Sequence, residues 1–337
     1  MYKLIKPILF LFDAENVHHS VMRMLAFFYA LPFGKKILKS LYDAPEDQKI
    51  SILGLNFKNR IGLAAGFDKN GKYIDELACL GFGFIEVGTV TPKSQYGNPK
   101  PRLFRILKDK AIINRMGFNN DGVDSLIENL KHVKNKNIII GGNIGKNKNT
   151  DNENAIHDYK HCFSKLYNYV HYFVINVSSP NTPGLRELQD KKPLTQIIEA
   201  LTLLRQSQKV YKPILLKIAP DLSLDQLDDI VDICNDTLLD GLIVSNTTVD
   251  RSTLTEKKEV VEKIGNGGLS GKPLLSLSNK VLKYLSSKTS KTIIGVGGIQ
   301  SQSDYFEKIN NGASLVQVYT GFIYEGPSLV KILLNKK

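Results

Sequence analysis

The chain has 337 residues, 42% hydrophobic and 23% charged, an ordinary globular composition with enough apolar side chains for a sizeable core. Its 45 basic and 33 acidic residues leave a formal charge of +12, and its three cysteines, Cys79, Cys162 and Cys234, are widely spaced. That spacing excludes a disulfide scaffold or a cysteine metal site, so no metal is expected, and it suits a reduced cytoplasmic protein.

No run approaches the roughly 20 apolar residues that span a bilayer. No basic block with interleaved aromatics, zinc-finger spacing or RNA-binding motif supports nucleic acid as a partner. The positive charge reads as a Lys-rich surface, or as attraction to an anionic membrane face or ligand.

The start, MYKLIKPILFLF, is a short apolar run that breaks at Asp13 without a small-residue cleavage site, so a signal peptide is not expected. Asp13 is an N-cap candidate with Glu15 in the first turn. Val17, Val21, Met24, Leu25 and Phe28 form the apolar stripe of the helix that follows, and Leu31-Pro32 ends it. Phe33, Ile37, Leu38 and Leu41 give a second, shorter stripe. Residues 1–49 therefore read as a two-helix appendage, basic on its polar side. It either caps the rest of the chain or leans on a membrane surface and frames an apolar tunnel. The acidic segment Asp43–Asp47 reads as the linker to residues 50–337.

Ser51–Arg60 resembles a strand pair. From Gly62 onward, short β-rich apolar runs alternate with polar turns and helical stretches. The runs are Ile61–Ala65, Phe84–Thr89, Ile138–Asn143, Phe173–Val177, Ile214–Ile218, Gly241–Ser245, Thr292–Val296 and Leu315–Tyr319. Near-continuous apolar runs suit parallel strands buried on both faces, and eight of them with intervening helices predict an α/β fold of the (β/α)8 TIM-barrel type. An open doubly wound sheet needs a nucleotide fingerprint, and Gly295-Val296-Gly297-Gly298 is not one, because Gln stands at position 300. Arg102–Asn114 reads as a hairpin inserted after the second of these strands.

The chemistry concentrates after the runs. Ala64-Ala65-Gly66-Phe67-Asp68-Lys69 lets a planar ligand approach the backbone, with Lys69 offering a cation to a carboxylate or an electron-rich ring. Asn176-Val177-Ser178-Ser179-Pro180-Asn181-Thr182-Pro183-Gly184 offers hydroxyls and amides but no His, Cys or carboxylate. A reaction here uses a hydroxyl as proton acceptor or leaves electron chemistry to a cofactor. Asn114, Asn176, Asn181 and Asn246 together suit a ring with alternating N–H and C=O groups, such as a pyrimidinedione. Lys217, inside a β-run, is read as supporting negative charge on a reduced flavin, as a Schiff-base lysine, or as half of a core ion pair. Glycine-rich segments at 265–271, 295–298 and 319–321 surround the last three runs and imply a phosphate-bearing ligand.

The ordered fragments AAGFDKNG, EVGTVTP, NPKPRLFR, INRMGFNN, NVSSPNTPGLR, LLKIAPD, SNTT, NGGLSGKPL, IIGVGGI and LVQVYTGFIYEGP resemble dihydroorotate dehydrogenases from about residue 50 to the C-terminus. Serine at 179 and the helical appendage resemble the membrane-associated, quinone-dependent class 2. Class 1 enzymes, which pass electrons to fumarate or NAD, carry Cys there and lack the appendage.

The resemblance implies FMN-dependent oxidation of dihydroorotate to orotate in pyrimidine synthesis. It makes Ala65, Gly66, Lys69, Thr89, Asn143, Asn176, Lys217 and Ser245 flavin contacts, and Gly271, Gly298, Tyr319 and Thr320 contacts at the phosphate end. Position 245 is Ser where many relatives have Thr, and the hydroxyl is kept. Lys69, Asn114, Arg115, Met116, Gly117, Phe118, Asn176, Asn181, Asn246 and Thr247 resemble the orotate cradle. Ser179 matches the catalytic base, with Thr182 and a water screened by Phe118 as the proton exit. His18, Arg105 and Tyr319 match the inner end of a quinone tunnel. A monomer, peripheral on the cytoplasmic face of the cell inner membrane, is the expected state.

Overall fold

The computed structural model describes residues 2–45 and 49–335. Three helices come first: α1 (Tyr2–Leu9), α2 (Ala14–Ala30) and α3 (Gly34–Tyr42). The two expected helices are α2 and α3. Asp13 caps α2 by accepting from the Asn16 amide at 2.9 Å, and extended Leu31 ends it ahead of Pro32.

The expectation of two helices is corrected by α1, which carries Pro7 inside it. An eight-residue helix interrupted by proline is not stable by itself. Long-range contacts hold it: the Tyr2 hydroxyl donates to the Ile323 carbonyl and Lys6 Nζ to the Tyr324 carbonyl at 3.1 Å. Of the acidic linker, Asp43 pairs with Lys58, whereas Glu46 and Asp47 lie outside the described residues.

The hairpin β1 (Ile50–Ile52) and β2 (Leu55–Phe57) precedes the barrel. The remaining strands are β3 (Ile61–Leu63), β4 (Phe84–Val90), β5 (Leu103–Ile106), β6 (Ala111–Asn114), β7 (Ile139–Ile144), β8 (Tyr172–Asn176), β9 (Ile214–Ile218), β10 (Gly241–Val244), β11 (Gly268–Gly271), β12 (Thr292–Val296) and β13 (Leu315–Val318). β3, β4, β7, β8, β9, β10, β12 and β13 close a parallel barrel in that order, so each of the eight apolar runs became a barrel strand.

Between β3 and β10 the helices are α4 (Ile74–Ala78), α5 (Val123–Lys131), α6 (Ala155–Leu166), α7 (Lys191–Gln206) and α8 (Leu224–Asp236). After β10 come α9 (Lys258–Ile264), α10 (Leu275–Ser286), α11 (Gln302–Asn310), α12 (Thr320–Glu325) and α13 (Leu329–Leu334). Their inner faces bury Leu126, Phe163, Leu201, Ile230 and Leu282 against the sheet. The inserted hairpin β5–β6 is present, but it gains a third strand. Of the glycine-rich stretch at 265–271, expected near a phosphate, residues 268–271 form β11 and pair antiparallel with β6. Leu269 packs there on Ile106, Ala111 and Ile113, and this apolar seam converts the loop into a strand.

The barrel interior is layered. Phe84, Tyr172, Val174, Leu215, Ile243, Ile294 and Leu315 fill its lower part, with Phe57 of β2 packed edge-on against Phe84 at 5.3 Å. Glycine makes room for the large rings: a Cβ at Gly141 would lie 2.2 Å from the Tyr172 ring. Side chains alternate along a strand. Two residues above this layer the same strands therefore point Glu86, Lys217, Gln317 and Asn176 inward, toward the C-terminal end where barrel enzymes place their sites.

Candidate active site

The polar layer is built around Glu86, which is fully buried. Its carboxylate accepts from Asn143 Nδ2 at 2.7 Å, Gln317 Nε2 at 2.5 Å and the Tyr172 hydroxyl at 3.4 Å, and Lys217 Nζ lies 4.0 Å away. Burial pulls the Lys217 pKa down from its ordinary value, and the Glu86 charge opposes that shift. Thr89 donates to Asn143 Oδ1 at 2.6 Å and accepts from Asn176 Nδ2 at 2.8 Å. This network leaves the buried Gln317 Oε1 without a partner among the described residues, and Gln317 is on the wall of the cavity above.

That cavity encloses about 1080 Å³ including its open mouth. Ala65, Gly66, Lys69, Thr89, Asn114, Met116, Gly117, Phe118, Asn176, Ser179, Asn181, Lys217, Ser245, Asn246, Thr247, Gly271, Gly298, Tyr319 and Thr320 all line it. The four amides proposed from spacing alone converge there. Asn181 Nδ2 donates to Asn114 Oδ1 at 3.1 Å, Asn114 Nδ2 to the Gly268 carbonyl at 3.3 Å, and Asn246 Nδ2 to Ser178 Oγ at 2.9 Å. Ser178, left without a role by the sequence, is fully buried and also bonds Asn176 Oδ1 at 3.2 Å, so it orients two of the amides.

Ser179 follows β8 on the cavity wall, and its Oγ accepts from the Asn181 amide at 3.3 Å. Thr182 Oγ1, three residues on, is buried with no hydrogen-bond partner among the described residues. Phe118 holds a left-handed φ of +53°, and its carbonyl accepts from Asn120 Nδ2 at 2.7 Å and Gln95 Nε2 at 3.1 Å. A non-glycine residue persists in that region only when its surroundings fix it.

Lys69 reaches Asn119 Oδ1. Burial, together with the Arg102 charge, lowers its pKa to about 7. At the opposite end, Ser270 Oγ and Thr320 Oγ1 are 2.8 Å apart. The first-turn N–H groups of α12, which have no intrahelical acceptor, begin at Thr320 and Gly321 on the cavity wall.

The small residues at 64–66, the Lys217 amine, the buried Gln317 carbonyl and the glycine-lined end together fit a flat, hydrogen-bonding ring system with an anionic tail.

Several expected residues do not line the cavity. Asn143 sits behind Thr89 in the polar layer. Arg115 turns away: its guanidinium lies over the Phe104 ring at 4.6 Å and bonds the Ile264 and Asn266 carbonyls. His18, outside the cavity, and Tyr319, on its wall, flank Phe67, with ring centroids 4.8 and 5.5 Å from it. Burial lowers the His18 pKa to about 4, so its imidazole is neutral at physiological pH. Arg105 donates to the Phe10 and Phe12 carbonyls at 2.9 and 3.0 Å, just beyond the end of α1. The sequence reading missed Glu86 and Gln317. Both are polar residues inside apolar β-runs, the same signal that singled out Lys217.

A closed parallel barrel with an amide-and-serine loop at its C-terminal end defines an α/β-barrel enzyme built to hold a flat, polar ligand. The chain belongs to the dihydroorotate dehydrogenase family, whose sequence profile matches residues 48–336. It is 54% identical to the dihydroorotate dehydrogenase (quinone) of Christiangramia forsetii, covering 100% of this chain and 98% of that protein. To the protein of the same name from Proteus mirabilis it is 47% identical, covering 99% of each. The crystal structure of ligand-free DHODH from Eimeria tenella matches with a TM-score of 0.86 at 39% identity, over 95% of this chain and 93% of that one. The ferulenol complex from the same organism matches at 0.84 and 38%, over 95% and 89%.

Proposed function

We infer that this chain oxidises dihydroorotate to orotate, a step of pyrimidine synthesis, with a quinone as electron acceptor. The observation that carries the reading is Ser179, placed on one cavity wall with Asn114, Asn176, Asn181 and Asn246. A class 1 enzyme using fumarate or NAD is disfavoured by the serine, by the helices α1 to α3, and by the quinone-type names of relatives that match over the full length.

The family is flavin-dependent, and FMN is the flavin that fits. Ala65, Gly66, Lys69, Thr89, Asn176, Lys217 and Ser245 hold its ring, backed by Asn143. Gly271, Gly298, Tyr319 and Thr320 hold its phosphate end. When bound, FMN supplies a hydride acceptor for C6 of dihydroorotate.

The chain does the rest. The four amides, with Met116, Gly117, Phe118 and Thr247, hold the pyrimidine ring in one orientation, which lowers the entropic part of the barrier. Lys69 holds the substrate carboxylate. Ser179 Oγ takes the proton from C5. A serine hydroxyl is a weak base, so the proton must leave it as it arrives. Thr182, three residues further along and without a hydrogen-bond partner among the described residues, passes it on: its hydroxyl accepts the proton from Ser179 and gives its own to a water that Phe118 screens from bulk solvent. Arg115 acts through its backbone alone.

Among the described residues no helix is long and apolar enough to cross a membrane. Leu4, Ile8, Leu11, Phe12, Met24, Phe27 and Phe33 nevertheless stand exposed on α1 to α3 and their connections, beside Lys3, Lys35, Lys36 and Lys39. This suits a peripheral helical segment, residues 1–49, resting on an anionic lipid surface, the cytoplasmic face of the inner membrane, with residues 50–337 as the FMN barrel. His18, Tyr319 and Arg105 line the path of a quinone entering from there.

Anaerobic mixing tests the function. Dihydroorotate bleaches the flavin absorbance, and a quinone restores it where fumarate and NAD do not. A colourless protein, or recovery with fumarate alone, contradicts the reading.

A further inference from the structure

Glu15, in the first turn of α2, is buried. A buried carboxylate needs a partner, and this one finds it off its own helix. Arg102, which immediately precedes β5, donates from Nε to Glu15 Oε2 at 3.0 Å and from Nη2 to Oε1 at 2.7 Å. Such a two-pronged pair fixes orientation as well as charge. Lys100 adds a second cation 3.4 Å from Oε1.

The remaining edge of the Arg102 guanidinium faces the substrate side. Its Nη1 donates to the Tyr96 carbonyl at 2.5 Å and to the Asn98 carbonyl at 2.9 Å. Asn98 Nδ2 in turn donates to the Arg115 carbonyl at 3.0 Å and to the Asn181 carbonyl at 3.3 Å. The same carboxamide lies on Gly117, where a Cβ would fall 2.8 Å from Asn98 Cγ. Gly117 and Asn181 both line the cavity, and the Asn181 amide bonds Ser179 Oγ. From α2, a chain of Glu15, Arg102 and Asn98 thus reaches the loop that carries the serine.

We propose that Glu15, Arg102 and Asn98 are positioning residues for the dihydroorotate half of the reaction, so that the seating of α2 on the barrel sets the substrate cradle at Gly117 and Asn181. The proposal rests on the function inferred above. It assigns to a helix on the acceptor side a hold on the substrate side. Once Glu15 loses its charge, the Arg102 guanidinium loses the carboxylate paired with it among the described residues, and the two carbonyls it positions, at Tyr96 and Asn98, lose their register.

The test uses the flavin-loaded full chain with Glu15→Gln, Arg102→Gln and Asn98→Ala. Orotate is titrated by the perturbation of the flavin spectrum, and bleaching is timed at saturating dihydroorotate. Each variant is expected to bind orotate about tenfold more weakly, the loss of one well-made hydrogen bond. The bleaching rate at saturation should change less than the affinity. The Glu15→Gln/Asn98→Ala double variant should be no worse than the weaker single one, because both cut the same chain. Asn98→Ala keeps the ion pair and decides the matter if either charge variant unfolds or loses flavin. Wild-type orotate affinity in folded, flavin-loaded Asn98→Ala overturns the proposal, and so does strict additivity in the double variant. Failure of the unaltered protein to bind orotate overturns the inferred function instead.

Discussion

Lys217 on β9 and Glu86 on β4 meet in the barrel interior with Nζ 4.0 Å from Oε1, both side chains buried. The sequence left Lys217 open between a functional lysine and a core ion pair; the geometry shows the ion pair and sets the lysine on the cavity wall. Lys217 lines the cavity floor, while Glu86, bonded to Asn143 and Gln317, supplies the charge that keeps it there. Removing one member of a buried pair strands the other. Glu86→Leu is therefore expected to cost about 3–5 kcal/mol of folding stability, read as a lower midpoint in urea. An unchanged midpoint contradicts the pairing.

Ser179→Ala should retain flavin and orotate and lose dihydroorotate-driven bleaching by roughly 100-fold or more at neutral pH, the scale of general-base catalysis. Near-normal bleaching removes Ser179 from that role. Thr182→Val separates reaction from folding. Its hydroxyl has no hydrogen-bond partner among the described residues to lose, so thermal stability should hold or rise by up to about 1 kcal/mol, while bleaching slows.

Lys69 carries a pH signature. Burial depresses its pKa to about 7, so the free site is cationic below that pH and neutral above it. An orotate carboxylate binds the cationic form. Affinity should be full below pH 7 and weaken as pH rises, approaching about tenfold per pH unit well above 7. Lys69→Met should be weak throughout and flat over the same range. A pH-independent affinity in the unaltered protein contradicts the role of Lys69.

Phe27 on α2 and Phe33 just before α3 are among the most exposed aromatics of the N-terminal segment. Burying such a side chain is worth about 1.5–3 kcal/mol. Phe27→Ser with Phe33→Ser should therefore lower co-sedimentation with anionic lipid vesicles at least about tenfold, while bleaching by dihydroorotate stays as it was. Equal sedimentation moves the membrane contact elsewhere.

Much of this molecule is legible in local pattern. The eight apolar runs, the Asp13 cap, the break at Leu31-Pro32 and the hairpin at 102–114 depend on neighbours within a few residues, and each formed as read. Most of the polar residues expected at the site also reached one cavity, because parallel strands closing a barrel put all their C-terminal ends on one rim.

What lay beyond local pattern depended on partners far along the chain. Helix α1 survives its proline through contacts with Ile323 and Tyr324. The glycine-rich stretch at 268 becomes a strand only because β6 lies beside it. Arg115 turns outward because Phe104 and two carbonyls hold its guanidinium. Glu15, by sequence no more than a first-turn acid, is tied to Arg102 across the helix–barrel junction. Strand periodicity, turn residues and motif order were thus determined by the sequence itself, since their physics is short-ranged. Which polar groups pair, which stay unpartnered and which way a long side chain points were decided by tertiary structure alone, because burial sets the cost of an unpaired charge and only folding decides what is buried.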